Sequence, residues 1–176
     1  MAGKRVTDLT ALEEQMGSGD LFNIVDVSDS TGSAAGTSKK IDSKFIIQTD
    51  KISVSNAEII DLGSNEKVLV GALSGYMITP ISATCLVTYA ASTESSNKNL
   101  YFGFDDSVDT HYWDYGSRFY GGQTTDVTFI FGGHLAASGA KTTSSINSPF
   151  VIWASGTFNG GWSMDVYITY AYTKVL

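Results

Sequence analysis

The side chains in this sequence that could do chemistry are few and scattered. Asp105-Asp106-Ser107-Val108-Asp109, with Asp114 nearby, gathers carboxylate oxygens of the kind a hard cation such as Ca²⁺ accepts. The spacing lacks the EF-hand pattern and its central glycine, so a solvated turn between two strands accounts for it more simply. Asp26, Ser28 and Asp29 form a second acidic turn, where Asx-type hydrogen bonds to the backbone explain the residues without a metal. A Ser-His-Asp hydrolase would have to use His111 or His134, and no G-x-S-x-G elbow accompanies either. Both read as surface or cavity histidines. The single cysteine, Cys85, alternates with apolar neighbours like a small buried hydrophobe, and it excludes an intrachain disulfide or a multi-cysteine zinc cluster. Glycosidase chemistry needs two carboxyls held ~5–9 Å apart, and nothing in the sequence pairs them. The expectation is a protein that is not an enzyme, with no cofactor and no metal.

The aromatic stretch from Tyr101 to Tyr120 is the most suggestive feature. Within it Tyr112, Trp113 and Tyr115 stand beside Asp114 and Arg118. Aromatic rings stack on sugar faces while neighbouring polar groups hold hydroxyls, which makes these five residues a candidate glycan contact. The competing reading is structural, because aromatic strands also build β cores and subunit interfaces.

The elements that must position these residues are mostly strands. Charged residues make up 16% of the 176, against roughly 25% in an average domain, with Ser, Thr, Asn and Gly in their place. Those are poor helix-interior residues and good turn formers. Hydrophobic residues at 43% and a mean hydropathy of +0.02 are enough to bury one core and exclude a disordered chain. One short helix is predicted over residues 7–16, where Thr10 to Glu13 has capping-box spacing, Leu9, Leu12 and Met16 share a stripe, and Gly17 stops it. Strands follow at 21–27 and around 41–48.

From residue 57 onward strand-like runs are predicted near 57–62, 67–73, 76–90, 99–104, 110–115, 124–132, 149–154 and 162–173. In the last, Trp162, Met164, Val166, Ile168, Tyr170 and Tyr172 share one face, the alternation of a half-buried strand. Val127, Phe129 and Phe131 alternate likewise, as do Leu100, Phe102 and Phe104. In the long run, Met77, Ile81, Ala83, Cys85, Val87 and Tyr89 fall on one side, and Pro80, which has no ladder donor, belongs at an edge or bulge. The fold class is therefore all-β: a short helix and small β segment in residues 1–50, then a jelly-roll-like β-sandwich of about eight strands in residues 51–176.

Val6-Thr7-Asp8-Leu9-Thr10-Ala11-Leu12, and then Gly19-Asp20-Leu21-Phe22-Asn23-Ile24-Val25-Asp26-Val27-Ser28-Asp29-Ser30-Thr31-Gly32-Ser33-Ala34-Ala35-Gly36-Thr37-Ser38-Lys39-Lys40-Ile41, resembles the N-terminal module of many bacteriophage tail-fibre and head-fibre proteins. The match runs nearly unbroken over residues 6–41, departing at Phe22-Asn23, where the module usually has Tyr. The resemblance implies a homotrimeric appendage on the virion surface, made in the bacterial host cytoplasm. Residues 1–50 would dock on capsid or tail proteins through Asp8, Leu9, Leu12, Ile24, Asp26 and Ser28, with the C-terminal domain pointing outward. The module leaves head and tail placement open.

Charge excludes other classes. The formal net charge is −7, and no run of Lys or Arg exceeds a pair, so there is no basic track for nucleic-acid phosphates. The N-terminal residues lead into polar sequence, and no stretch of eighteen apolar residues occurs, so neither a secretion signal nor membrane insertion is expected. The function expected is a non-catalytic structural subunit, a short head or tail fibre or decoration protein that contacts the host surface. The alternative is a receptor-binding carbohydrate-recognition module, and a polysaccharide-degrading enzyme ranks last.

Overall fold

The computed structural model describes residues 21–29, 31–32, 37–42, 45–104, 111–116, 118–133 and 145–175. The helix expected at 7–16, the acidic run 105–109 and His134 lie outside the described residues. The chain divides into two compact units, Met1–Ile46 and Ile47–Leu176.

In the first unit, β1 (Leu21–Asp26) pairs antiparallel with β2 (Thr37–Asp42), placing Leu21 opposite Asp42 and Asp26 opposite Thr37. The second strand was expected over 41–48. It instead ends at Asp42, and Gln48 opens a different strand. The Thr-Ser-Lys-Lys start of β2 carries no apolar alternation, because a two-stranded ribbon need not bury a face, so hydrophobic periodicity could not mark it.

The second unit contains β3 (Gln48–Val54), α1 (Asn56–Asp61), β4 (Lys67–Val70), β5 (Tyr76–Tyr89), β6 (Leu100–Gly103), β7 (His111–Tyr115), β8 (Val127–Gly132), β9 (Phe150–Ala154) and β10 (Trp162–Lys174). These eight strands form two four-stranded antiparallel sheets, ordered β3-β10-β5-β8 and β4-β9-β6-β7. First pairs with last, second with seventh, third with sixth and fourth with fifth. That nesting, wound alternately between two sheets, is the jelly roll.

One of the expected strands is a helix. The apolar run at 57–62 predicts a strand, but Ser55-Asn56-Ala57-Glu58 is a capping box and the segment is helical. The Ser55 N–H donates to the Glu58 carboxylate at 2.8 Å, and the Glu58 N–H donates to Ser55 Oγ. Ile59 and Leu62, three apart, then bury on the same side. Among the described residues of this unit the strand count still reaches eight because β3, which precedes residue 57, takes the vacated place.

β10 follows its alternation, with Trp162, Met164, Val166, Ile168 and Tyr170 all buried. β5 follows it only in part. The pairing with β10 shifts register between Thr169 and Tyr170, so that Ser82 faces Thr169 and Pro80 faces Tyr170, leaving Ile81 as the extra residue. Ala83, Cys85 and Val87 point inward as expected, but before the bulge the parity flips: Ile78 and Pro80 are buried, while Ile81 is 40% exposed and Met77 only half-buried. Pro80 sits beside that bulge and beyond the β8 pairing, which begins at Ser82, so its missing N–H breaks no ladder there. The core lies between the sheets, with Trp162, Val166 and Cys85 from one meeting Phe102, Trp113, Phe150 and Ile152 from the other. Tyr101, Val151 and Trp153 make a second small cluster on the opposite side of β6 and β9.

Candidate functional site

The aromatic residues of β7 divide by strand alternation. Trp113 is fully buried, edge-on to Phe102 and Phe150 with ring centroids 5.9 and 5.8 Å apart, and its indole N–H donates to the Gly133 carbonyl at 2.5 Å. Its ring offers no face to a ligand, so the sequence-derived role as a sugar platform gives way to a core role. Tyr112 packs against the same cluster, 5.1 Å from Trp113. Asp114 is half-buried and pairs across the sheet with Tyr101. Tyr115 is 37% exposed, but its ring is packed on Phe119 and Phe129 at 5.4 and 5.1 Å.

Arg118 has different surroundings from these. It is exposed, and its backbone adopts φ +84°, a region where an L side chain is strained. The strain is held by the residues that follow. Phe119 and Tyr120 are buried beside Trp162, at 5.8 and 5.1 Å, and the Phe119 N–H donates to the Lys98 carbonyl. Tyr120 is itself left-handed at φ +58°, and its hydroxyl donates to the Thr125 carbonyl at 2.9 Å. The turn closes when the Gly121 N–H donates to the Arg118 carbonyl at 2.8 Å. A Cβ at Gly121 would lie 2.7 Å from the Arg118 Cβ, which explains the glycine.

Facing this turn is the loop from Thr93 to Asn97. Arg118 Nε donates to Asn97 Oδ1 at 2.7 Å, and Asn97 is also left-handed, at φ +55°. Together Thr93, Glu94, Ser95, Asn97, Arg118, Gly121 and Gly122 enclose a cleft of about 190 Å³. Among the described residues, no carboxylate lies within ion-pair distance of the Arg118 guanidinium.

The loop is held from below by Glu94, which is 1% exposed. Its carboxylate accepts from the backbone N–H groups of Ser96 (2.8 Å), Asn159 (3.0 Å) and Gly160 (3.4 Å) and from the Trp162 indole N–H (3.1 Å). Burial pushes this carboxyl up, but the bonds from Ser96, Trp162 and Gly160 outweigh it and hold the pKa below the ordinary range. Sequence reasoning missed Glu94, because a lone Glu in a Ser-rich loop resembles any solvated loop residue.

Of the residues expected to attach to a virion, Asp8, Leu9 and Leu12 lie outside the described residues. Ile24 stands in β1 opposite Lys39. Asp26 and Ser28 sit together at the turn after β1, where the Ser28 N–H and hydroxyl both donate to Asp26 Oδ1, at 3.0 and 2.6 Å. Asp29 repeats the device with Thr31 and pairs with Lys39 at 2.6 Å, and the Lys39 and Thr31 bonds bring its pKa down to about 2. Both are Asx-type turns, as the sequence indicated.

No family model and no curated protein matches the chain. Among solved structures it is similar to a chain of the cyanophage Pam1 capsid asymmetric unit, at 11% identity and a TM-score of 0.41 over 98% of this chain and 99% of that one.

Proposed function

We propose that the chain is a non-catalytic structural subunit on a bacteriophage virion surface, a short fibre or decoration protein that assembles as a homotrimer. The observation that carries this reading is the near-continuous resemblance over residues 6–41 to a virion-attachment module. Self-association is supported by the outward side of the β3-β10-β5-β8 sheet. There Ile130 is 76% exposed and Leu86 39% exposed, and the pairing of Thr84 with Ile130 and of Leu86 with Thr128 makes them diagonal neighbours. Closed rotational symmetry would cover that patch without open-ended growth. Native mass spectrometry should give three times the 18.8 kDa chain mass, and a tagged copy should be found on particles by cryo-electron microscopy. A monomer that is absent from virions overturns the reading.

A second reading, a receptor-binding carbohydrate-recognition module on the same virion protein, is favoured by the small cleft at Arg118. Its ligand contacts are loop residues rather than the β7 aromatics. Binding of the purified protein to host surface polysaccharide tests it.

A further inference from the structure

We propose that the cleft between the 93–97 loop and the 118–122 turn binds a single carboxylate-bearing sugar unit, with the Arg118 guanidinium on the carboxylate. This rests on the carbohydrate-recognition reading and names the class of sugar.

The first support is the choice of residue. A turn at φ +84° calls for Gly, or at most Asn or Asp, and here it holds Arg. Strain of this kind persists where surrounding packing over-determines it, and buried Phe119 and Tyr120 supply that packing. The second is the state of the guanidinium. Nε donates to Asn97 Oδ1, which tethers the group to the 93–97 loop and uses none of its terminal N–H donors. The two terminal nitrogens of a planar guanidinium match a carboxylate bidentately. Among the described residues no carboxylate lies within 4 Å of the group, as is also true of Lys98 and Lys174, so no ion pair has to be broken for an anion to reach it.

The third support is the shape and lining. At about 190 Å³ the cleft falls below the ~300–1,000 Å³ of pockets for drug-sized ligands, which suits one ring rather than an oligomer. Thr93 and Ser95 bring hydroxyls to the lining, the Ser95 one accepting from the Asn159 amide at 2.6 Å and still able to donate, and Asn97, whose Oδ1 takes Arg118, keeps its amide N–H donors for a sugar hydroxyl. The Glu94 carboxylate does not oppose an anion in the usual way. It is turned from solvent and already accepts from three backbone N–H groups and an indole.

The test uses the full-length protein on an array of bacterial polysaccharides and short glycans, with uronic-acid and sialic-acid members set beside neutral ones. Sodium acetate and an acidic peptide serve as competitors. Acidic members should bind at least tenfold more tightly than their neutral counterparts. R118G should lose at least tenfold of that binding while melting at a higher temperature than the parent, because glycine relieves the backbone strain. R118K, which keeps the charge but not the fork, should lose most of the binding too. Equal binding of acidic and neutral members, or unchanged binding by R118G, overturns the proposal. Competition by acetate or by the peptide as strong as by the acidic sugar overturns the sugar assignment. Neither result touches the virion reading, which stands or falls on the trimer mass and on location in the particle.

Discussion

The Glu94 carboxylate accepts the Trp162 indole N–H at 3.1 Å, in a place where neither residue meets water. This contact ties the loop after β5 to the start of β10, and three backbone N–H groups converge on the same two oxygens. Removing the carboxylate leaves those donors buried without partners. Glu94→Ala should therefore cost about 3 kcal/mol in urea unfolding. Because its folded pKa is depressed below 4.5, Glu94 contributes stability that is fully present above about pH 4.5 and is lost as pH falls through the folded value. Glu94→Gln should flatten this part of the acid limb, measurable as a smaller drop in melting temperature between pH 5 and pH 3.

Trp113→Ala should destabilise the protein by about 3–5 kcal/mol, the cost of emptying a large aromatic site and orphaning the Gly133 carbonyl. Thermal unfolding checks this. If Trp113 were a surface sugar platform, the melting temperature would barely move.

The bulge in β5 makes a sharp pair of expectations. Ile78→Ala should cost about 2–5 kcal/mol, whereas Ile81→Ala, on the exposed side of the register shift, should stay within about 1 kcal/mol. Chemical denaturation of both variants tests the parity directly. The reverse order would place the bulge elsewhere.

Cys85 is fully buried, and burial pushes its thiol up to about 12. The native protein should react with a disulfide reagent at pH 8 on the order of a thousandfold more slowly than a free thiol. In denaturant the reaction should become fast, so the labelling rate reports opening of the central strands.

The two-layer β architecture was legible in the sequence, because strands that bury one face must alternate, and Trp162 to Tyr170 do so without interruption. The failures have local causes. Apolar periodicity cannot decide the state of Ile59-Ile60, where a short apolar run fits either helix or strand; the Ser55 and Glu58 capping signature in front of it is the signal that marks the helix. The parity of Met77 and Ile81 was lost because one inserted residue reverses every inward assignment before it, and no residue type announces the bulge except Pro80 nearby. Of the candidate site, Arg118 was named from composition, but its partner Asn97 lies 21 positions away in a polar loop and emerges only when the turn and loop are brought together.

The nested strand pairing has a consequence for how the protein is made. Thr49 and Thr169 share a hydrogen bond across 120 positions of sequence, so the outermost rung closes only after almost everything between them is in hand. A topology dominated by such distant partners folds on the slow side, in milliseconds to seconds. Until β10 slots between β3 and β5, both present raw edges that a neighbouring nascent chain can capture. A translation stall or a proteolytic cut upstream of Trp162 should thus yield insoluble material rather than a smaller working copy.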